Sequence, residues 1–295
     1  MTDRPIFKGA ATALITPTNA TGVDYDRLRR LIDWQIEEGI DALVICGTSG
    51  ESSTLTDAEH KKVIAYAIEC VNGRVPVIAG TGSNETAYAL ELSRFASSAG
   101  ADGVLVVTPY YNKATQNGLI KMYNTIADAS TAPVIIYNVP SRTGVNIEPA
   151  TYAVLAEHEN ICAIKEANGN ISKIVETVSL VGDKLDLYSG NDDQIIPIMS
   201  MGGLGVISVL SNIMPRQTSE LCRKYLSGDM AGAVKMQTEY MPIIKALFSE
   251  VNPIPVKAAM AAMGWCENYL RLPLTEMEPE NEEKLLAQMR KLSLI

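Results

Sequence analysis

Aromatic side chains are scarce in this 295-residue chain, at 6%, and there are only two histidines. Positive charge is also in short supply. Twenty-five Lys and Arg face 34 Asp and Glu, for a net charge of −9, and no basic run occurs. That balance argues against nucleic acid and anionic membrane surfaces as partners. Long apolar runs are missing too, so no stretch reads as a membrane span. The opening Met-Thr-Asp-Arg-Pro lacks the charged-then-apolar form of a secretion signal. The five cysteines, Cys46, Cys70, Cys162, Cys222 and Cys266, are odd in number, scattered and set mostly among apolar neighbours. They read as reduced core thiols of a cytoplasmic protein rather than as a disulfide framework. No Cys-x-x-Cys or His-x-x-x-His occurs, and His60 and His158 lie far apart. No metal site is expected. What is abundant is apolar residues, 47% of the chain, enough for a large core.

These residues fall in short runs that alternate with longer amphipathic segments. The runs are Gly9–Ile15, Ala42–Cys46, Val75–Ala79, Val104–Val107, Val134–Tyr137, Ile161–Lys165, Leu185–Ser189 and Val206–Val209. They are almost continuously apolar, as expected of parallel strands buried on both faces. Helices are expected between them. The first is Tyr25–Glu38, with Asp24 as its N-cap and Gly39 as its stop. Strict alternation of this kind gives an α/β protein, and eight units give a (β/α)8 TIM barrel rather than an open sheet. The doubly wound alternative lacks a Gly-x-Gly-x-x-Gly after the first strand. After Val209 only helical patterns follow. The chain therefore divides into a barrel over 1–229 and a C-terminal helical domain over 230–295.

A barrel of this type does its chemistry at the C-terminal ends of its strands. The run Ile161–Lys165 ends in a lysine there. Alternation puts Ile161, Ala163 and Lys165 on one face, with Lys165 pointing inward. Desolvation would lower its pKa from roughly 10.4, and a neutral amine attacks carbonyl carbon. Lys165 is thus a Schiff-base candidate, although a lysine just past a strand end can equally keep its amine in water. Other strand ends carry matching polar groups. Gly47-Thr48-Ser49-Gly50-Glu51 combines a tight turn with two hydroxyls. It is not a phosphate loop, since no Gly-Lys-Ser/Thr follows. Tyr137 shares a face with Ile135 and would lie beside Lys165 in the neighbouring strand. Arg142 could grip a carboxylate, or be an ordinary surface arginine. Gly190 suggests close backbone approach. Asp192 and Asp193 read more naturally as a helix N-terminal cap than as a site. Tyr110 and Tyr111 suggest one packed and one exposed ring, or a subunit contact. The joint occurrence on one rim favours Schiff-base aldol chemistry.

The sequence is similar to the dihydrodipicolinate synthase family of pyruvate-dependent class I aldolases, from Gly9 to the C-terminal helices. The resemblance rests on Gly47–Glu51, Thr108-Pro109-Tyr110-Tyr111-Asn112, Tyr137 to Gly144, the strand ending in Lys165, and Ser189–Asp192. Ser49 stands where the family usually has a second threonine. The resemblance implies that Lys165 forms a Schiff base with pyruvate, with no metal or organic cofactor. It implies a proton relay of Tyr137, Thr48 and Tyr111, with Tyr111 supplied by a neighbouring subunit of a homotetramer built from tight dimers. Ser49 and the backbone at Ile207 would hold the pyruvate carboxylate, and Gly190 joins the substrate-binding set. Arg142 would take the carboxylate of L-aspartate 4-semialdehyde. The product would be 4-hydroxy-tetrahydrodipicolinate, on the way to diaminopimelate and lysine. Ser52, His60, Asn84 and Tyr110 match an effector site for lysine, but Tyr88 replaces a glutamate there. Two other readings compete. A lyase for sialic acid or a keto-deoxy sugar acid would keep the chemistry without needing Arg142. A non-catalytic keto-acid sensor would not need Lys165, Tyr137 and Thr48 together.

Overall fold

A computed structural model describes residues 5–295 of the chain. The reading of the first residues as lacking a secretion signal falls largely on 1–4, outside them. Eight parallel strands close into a barrel: β1 (Gly9–Ala13), β2 (Ala42–Ile45), β3 (Val77–Gly80), β4 (Gly103–Val107), β5 (Val134–Asn138), β6 (Ile161–Glu166), β7 (Asp186–Ser189) and β8 (Gly205–Ser208). Each strand pairs with its successor in sequence, and β8 pairs with β1 to close the ring. The expected (β/α)8 architecture is therefore the one observed. A two-stranded hairpin, Thr18–Asn19 with Gly22–Val23, was not expected from the sequence; its strands are too short to carry a periodic pattern.

Two apolar layers follow from the strand period of two. Ala11, Ala42, Ile78, Leu105, Ile135 and Ile207 fill the barrel interior. Leu43, Ile45, Val106, Ile136, Ile164 and Val206 face the surrounding helices. Closure between β1 and β8 leaves no room for a side chain at Gly205. A Cβ there would lie 1.7 Å from the Gly9 carbonyl oxygen. One expectation about β6 fails. Ile161 lies in the outer layer, not inside with Ala163 and Lys165. The register shifts between Val134 and Ile135, so that Val134 pairs with Ile161 and Ile135 with Ala163. The bulge at Cys162 breaks the alternation N-terminal to Lys165. Lys165 therefore keeps its inward direction.

The helices start where local chemistry offers a cap. Asp24 accepts from the Arg27 backbone N–H at 3.0 Å, and Thr56 forms a capping box with Glu59. Three helices beyond residue 229, α1 (Met230–Leu247), α2 (Ile254–Ala262) and α3 (Pro279–Lys291), continue the outer apolar layer through Ile243, Leu247, Val256 and Leu285. They also reach the barrel rim. Lys257 of α2 is fully buried and forms an ion pair with Glu51, the last residue of the turn after β2. Its ammonium also donates to Thr18 Oγ1 at 2.6 Å. Arg271 clasps Glu59, with one guanidinium nitrogen 2.7 Å from the carboxylate.

Removing one partner of a buried pair strands the other charge, at a cost on the order of 3–5 kcal/mol. Lys257→Met should accordingly lower the urea midpoint of unfolding sharply. The double variant with Glu51→Gln should recover much of the loss. An unchanged midpoint for the single variant would show that the pair does not secure the C-terminal helices.

Candidate active site

The site is built around the end of β6. The β5–β6 register sets Tyr137 opposite Lys165, and the ammonium nitrogen lies 4.1 Å from the centre of the tyrosine ring. Lys165 is 5% exposed. Burial drives its pKa down to about 7. The carboxylate of Asp192 opposes that shift and the guanidinium of Arg142 adds to it. At neutral pH a large share of this amine is therefore unprotonated and nucleophilic. The Tyr137 phenol is also buried, which raises its pKa, while the Arg142 charge and the Thr48 hydroxyl beside it pull the other way. Tyr137, Thr48 and Lys165 thus form one cluster at the mouth of the barrel.

The turn after β2 supplies the next wall. Cys46 and Glu51 flank it, both in the left-handed region at φ 56° and 54°. Non-glycine residues there carry local strain. Thr48 is half-buried, whereas Ser49 has no exposed surface. The Asn252 side-chain amide donates to Ser49 Oγ at 3.1 Å. Arg142 follows β5 on a single helical turn, Pro140–Thr143, that Gly144 ends at φ 69°. It is exposed on one side, and its guanidinium donates to the Asn252 carbonyl at 3.0 Å. Asn252 therefore touches both. Sequence reasoning passed over it, because it lies 203 residues from Ser49 and only the fold brings them together.

Beyond β7, the structure corrects one reading. Asp192 does not cap the helix that follows it. It is buried, and Oδ2 accepts from the backbone N–H groups of Val209 and Leu210 at 3.0 and 2.9 Å. The carboxylate thus braces the end of β8 and faces Lys165. Gly190 is explained by its neighbours in the sheet: a Cβ would lie 2.8 Å from that of Ala167 and 3.1 Å from the Glu166 carbonyl oxygen. Ile207 sits in the barrel interior, its register partner Ala11 in β1.

Tyr111 is not gathered with these groups within one chain. The residue is 92% exposed, and its backbone is left-handed at φ 70°. Tyr110 beside it is half-buried. Asn112 ties this loop to the Asn84 carbonyl at 2.8 Å. Of the remaining predicted residues, Ser52 and Asn84 are half-buried and His60 is buried. His60 Nε2 lies 2.8 Å from the Gly80 carbonyl, which can only accept, so that nitrogen carries the proton. Burial holds the His60 pKa below its usual value, leaving a neutral ring at pH 7. A cavity of about 820 Å³ opens elsewhere, at the N-terminal ends of the strands around Ile161, Cys162 and Asp186. None of the Lys165 cluster lines it.

A second group missed by sequence reasoning is Glu166, buried on the outer side of β6. It accepts from Asn138 Nδ2 at 3.1 Å and from Tyr152 at 3.0 Å, and burial raises its pKa to about 7. Its neighbour Lys165 drew attention in the sequence; a glutamate closing an apolar strand carried no comparable signal.

The model of the dihydrodipicolinate synthetase family matches residues 6–292. The chain is 52% identical over 292 residues to a 4-hydroxy-tetrahydrodipicolinate synthase of Thermoanaerobacter sp. (strain X514), covering 99% of this chain and 98% of that one. It is 48% identical to dihydrodipicolinate synthase from Aquifex aeolicus, whose crystal structure superposes with a TM-score of 0.96 over 98% of this chain and 99% of the other. A further structure, of a monomeric dihydrodipicolinate synthase variant, is 43% identical with a TM-score of 0.96, covering 98% of each chain.

The electrostatics give a signed test. In competitive labelling with acetic anhydride, read at Lys165 by mass spectrometry, reactivity should rise with pH through a midpoint near 7. Arg142→Ala removes a repelling cation and should move the midpoint up. Asp192→Asn removes an attracting anion and should move it down. A midpoint close to that of a surface lysine, roughly 10.4, would refute the desolvated amine.

Proposed function

The chain belongs to the dihydrodipicolinate synthetase family, and from that premise we propose that it condenses pyruvate with L-aspartate 4-semialdehyde to give 4-hydroxy-tetrahydrodipicolinate. The observation that carries this reading is the buried Lys165 amine, with its pKa near 7, beside Tyr137.

Lys165 attacks the keto carbon of pyruvate, and loss of water leaves an imine. The imine is the electron sink, so the reaction needs no metal or organic cofactor. It acidifies the pyruvate methyl group, and removal of one proton gives an enamine. The enamine carbon attacks the aldehyde carbon of the second substrate and forms the new C–C bond. The substrate's own amine then adds to the imine carbon and displaces Lys165, closing a six-membered ring. Each step moves a proton. Tyr137 and Thr48 hold hydroxyls at hand for this, and Tyr111 completes the relay from a neighbouring subunit. The exposure of Tyr111 within one chain is what such a shared site requires, and we read the assembly as a homotetramer built from tight dimers. Ser49 and the backbone at Ile207 hold the pyruvate carboxylate, and Gly190 belongs to the substrate-binding set. Arg142 holds the carboxylate of the semialdehyde. Among the described residues no helix is long and apolar enough to cross a membrane, and we assign the enzyme to the cytoplasm.

Borohydride with pyruvate should leave one reduced adduct, on Lys165, and Lys165→Ala should lose it. Arg142→Ala should still form the adduct, while kcat/KM for the semialdehyde should fall by roughly 10- to 1000-fold. An adduct on Lys173 or Lys184 would displace the site. An unchanged kcat/KM would return Arg142 to the surface and reopen the sugar-acid reading.

The effector residues Ser52, His60, Asn84 and Tyr110 support a lysine site of low affinity. A cationic ligand gains most from a free carboxylate, and Tyr88 offers a neutral hydroxyl instead. The nearby Asp57 carboxylate faces Tyr88 and is already paired with Lys61 at 3.0 Å. Lysine should therefore inhibit weakly or not at all at millimolar concentration. Half-inhibition below that range, in a steady-state titration, would show that the Tyr88 argument is wrong.

A further inference from the structure

Asn252 lies outside the barrel sequence, just before α2, yet it is 6% exposed and faces the catalytic mouth. Its side-chain amide donates to Ser49 Oγ at 3.1 Å. Its backbone carbonyl accepts from Arg142 at 3.0 Å. A serine hydroxyl has one proton to give and two lone pairs to fill. Serine also lacks the branch at Cβ that stiffens threonine, so its hydroxyl needs an external partner to fix its direction. When the Asn252 amide donates to the oxygen, the Ser49 proton is left for another acceptor. The only alternative described is Asn252 Oδ1 itself, at 3.4 Å, which cannot be used well while Nδ2 holds the same oxygen.

We propose that Asn252 is a positioning residue for the pyruvate carboxylate: by donating to Ser49 Oγ it aims the serine proton at that carboxylate. The proposal rests on the reading of Ser49 given above. The Arg142 contact uses the backbone carbonyl, so side-chain variants at 252 leave it in place. The side chain should therefore act on pyruvate and not on the semialdehyde. An aspartate at this position would reverse the bond. Its carboxylate would accept the Ser49 proton, turn the hydroxyl from the ligand and add a like charge.

Steady-state kinetics with both substrates test this. Asn252→Ala should raise KM for pyruvate by roughly 3- to 10-fold, the value of one neutral hydrogen bond, with kcat and the semialdehyde KM near the parent's. Asn252→Asp, which keeps the shape, should raise it further, by about 30-fold or more. Ser49→Ala should also raise KM for pyruvate. The double variant Ser49→Ala/Asn252→Ala should be no worse than the more impaired single variant, because both act through one hydroxyl. If Ser49→Ala raises KM and Asn252→Ala does not, the Ser49 reading stands and the proposal falls. If Ser49→Ala changes nothing, that reading falls and takes the proposal with it. Additive effects would also overturn it, since Asn252 would then act by another route. Should Asn252→Ala fail to fold, the isosteric Asn252→Asp decides: a parental KM for pyruvate rejects the proposal.

Discussion

A lysine amine is a nucleophile only without its proton, and in water it keeps that proton at neutral pH. Everything around Lys165 follows from moving the amine out of water. The barrel mouth does this by geometry. Alternation along β6 turns the side chain inward at the point where the sheet ends, above a floor of Ala163, Ile135 and Ile207. Desolvation alone would also strip the site of control, so nearby charges set the balance. Asp192 favours the ammonium and Arg142 disfavours it. The result is an amine poised near pH 7, the condition under which one group can both attack as a base and leave as an acid.

A dry amine leaves the polar part of the chemistry to the loops, and loops bring strain. The turn after β2 runs between two left-handed non-glycine residues, Cys46 and Glu51. Such conformations cost on the order of 1–3 kcal/mol each. The neighbouring strands do not hold this turn from every side. Its outer side is secured by the C-terminal segment, through Lys257 on Glu51 and Asn252 on Ser49. The helices after residue 229 are therefore more than an appendage by position. They form part of the wall of the site and continue the apolar layer that surrounds the barrel.

This division explains what could be read from the sequence. Strands buried on both faces advertise themselves as apolar runs, and capped helices as stop and start signals, so the barrel and the position of Lys165 were legible. The pairing of Tyr137 with Lys165 followed from strand order alone. The bulge at Cys162 was not legible, because an extra residue in one strand shows only against its neighbour. Asp192 was misread as a cap because its bonds go to Val209 and Leu210, on another strand's end. Asn252 was invisible for the same reason at greater distance. An asparagine before a proline resembles any loop start. Residues that act through local geometry leave a local signal, and residues that bridge distant loops leave none.

The step from Lys165 to Glu166 shows how the sheet itself separates two titratable groups. They are consecutive in β6, both buried, and both have pKa values brought to about 7, one from above and one from below. Side by side in one cavity they would neutralise each other as an ion pair, and the amine would keep its proton. The strand period puts them on opposite faces instead. Lys165 looks into the barrel, while Glu166 looks outward to Asn138 and Tyr152. The charges that act on the Lys165 amine are those of Asp192 and Arg142 on its own side of the sheet. Glu166 is bound instead to the mechanical frame. Asn138, which it holds, follows Tyr137 directly and is its register partner across β5 and β6. The carboxyl group therefore ties together, from behind, the two strand ends that carry the amine and the phenol. Placing it one residue later, at the position of Ala167 on the interior side, would turn the same group from a brace into a competing counter-ion.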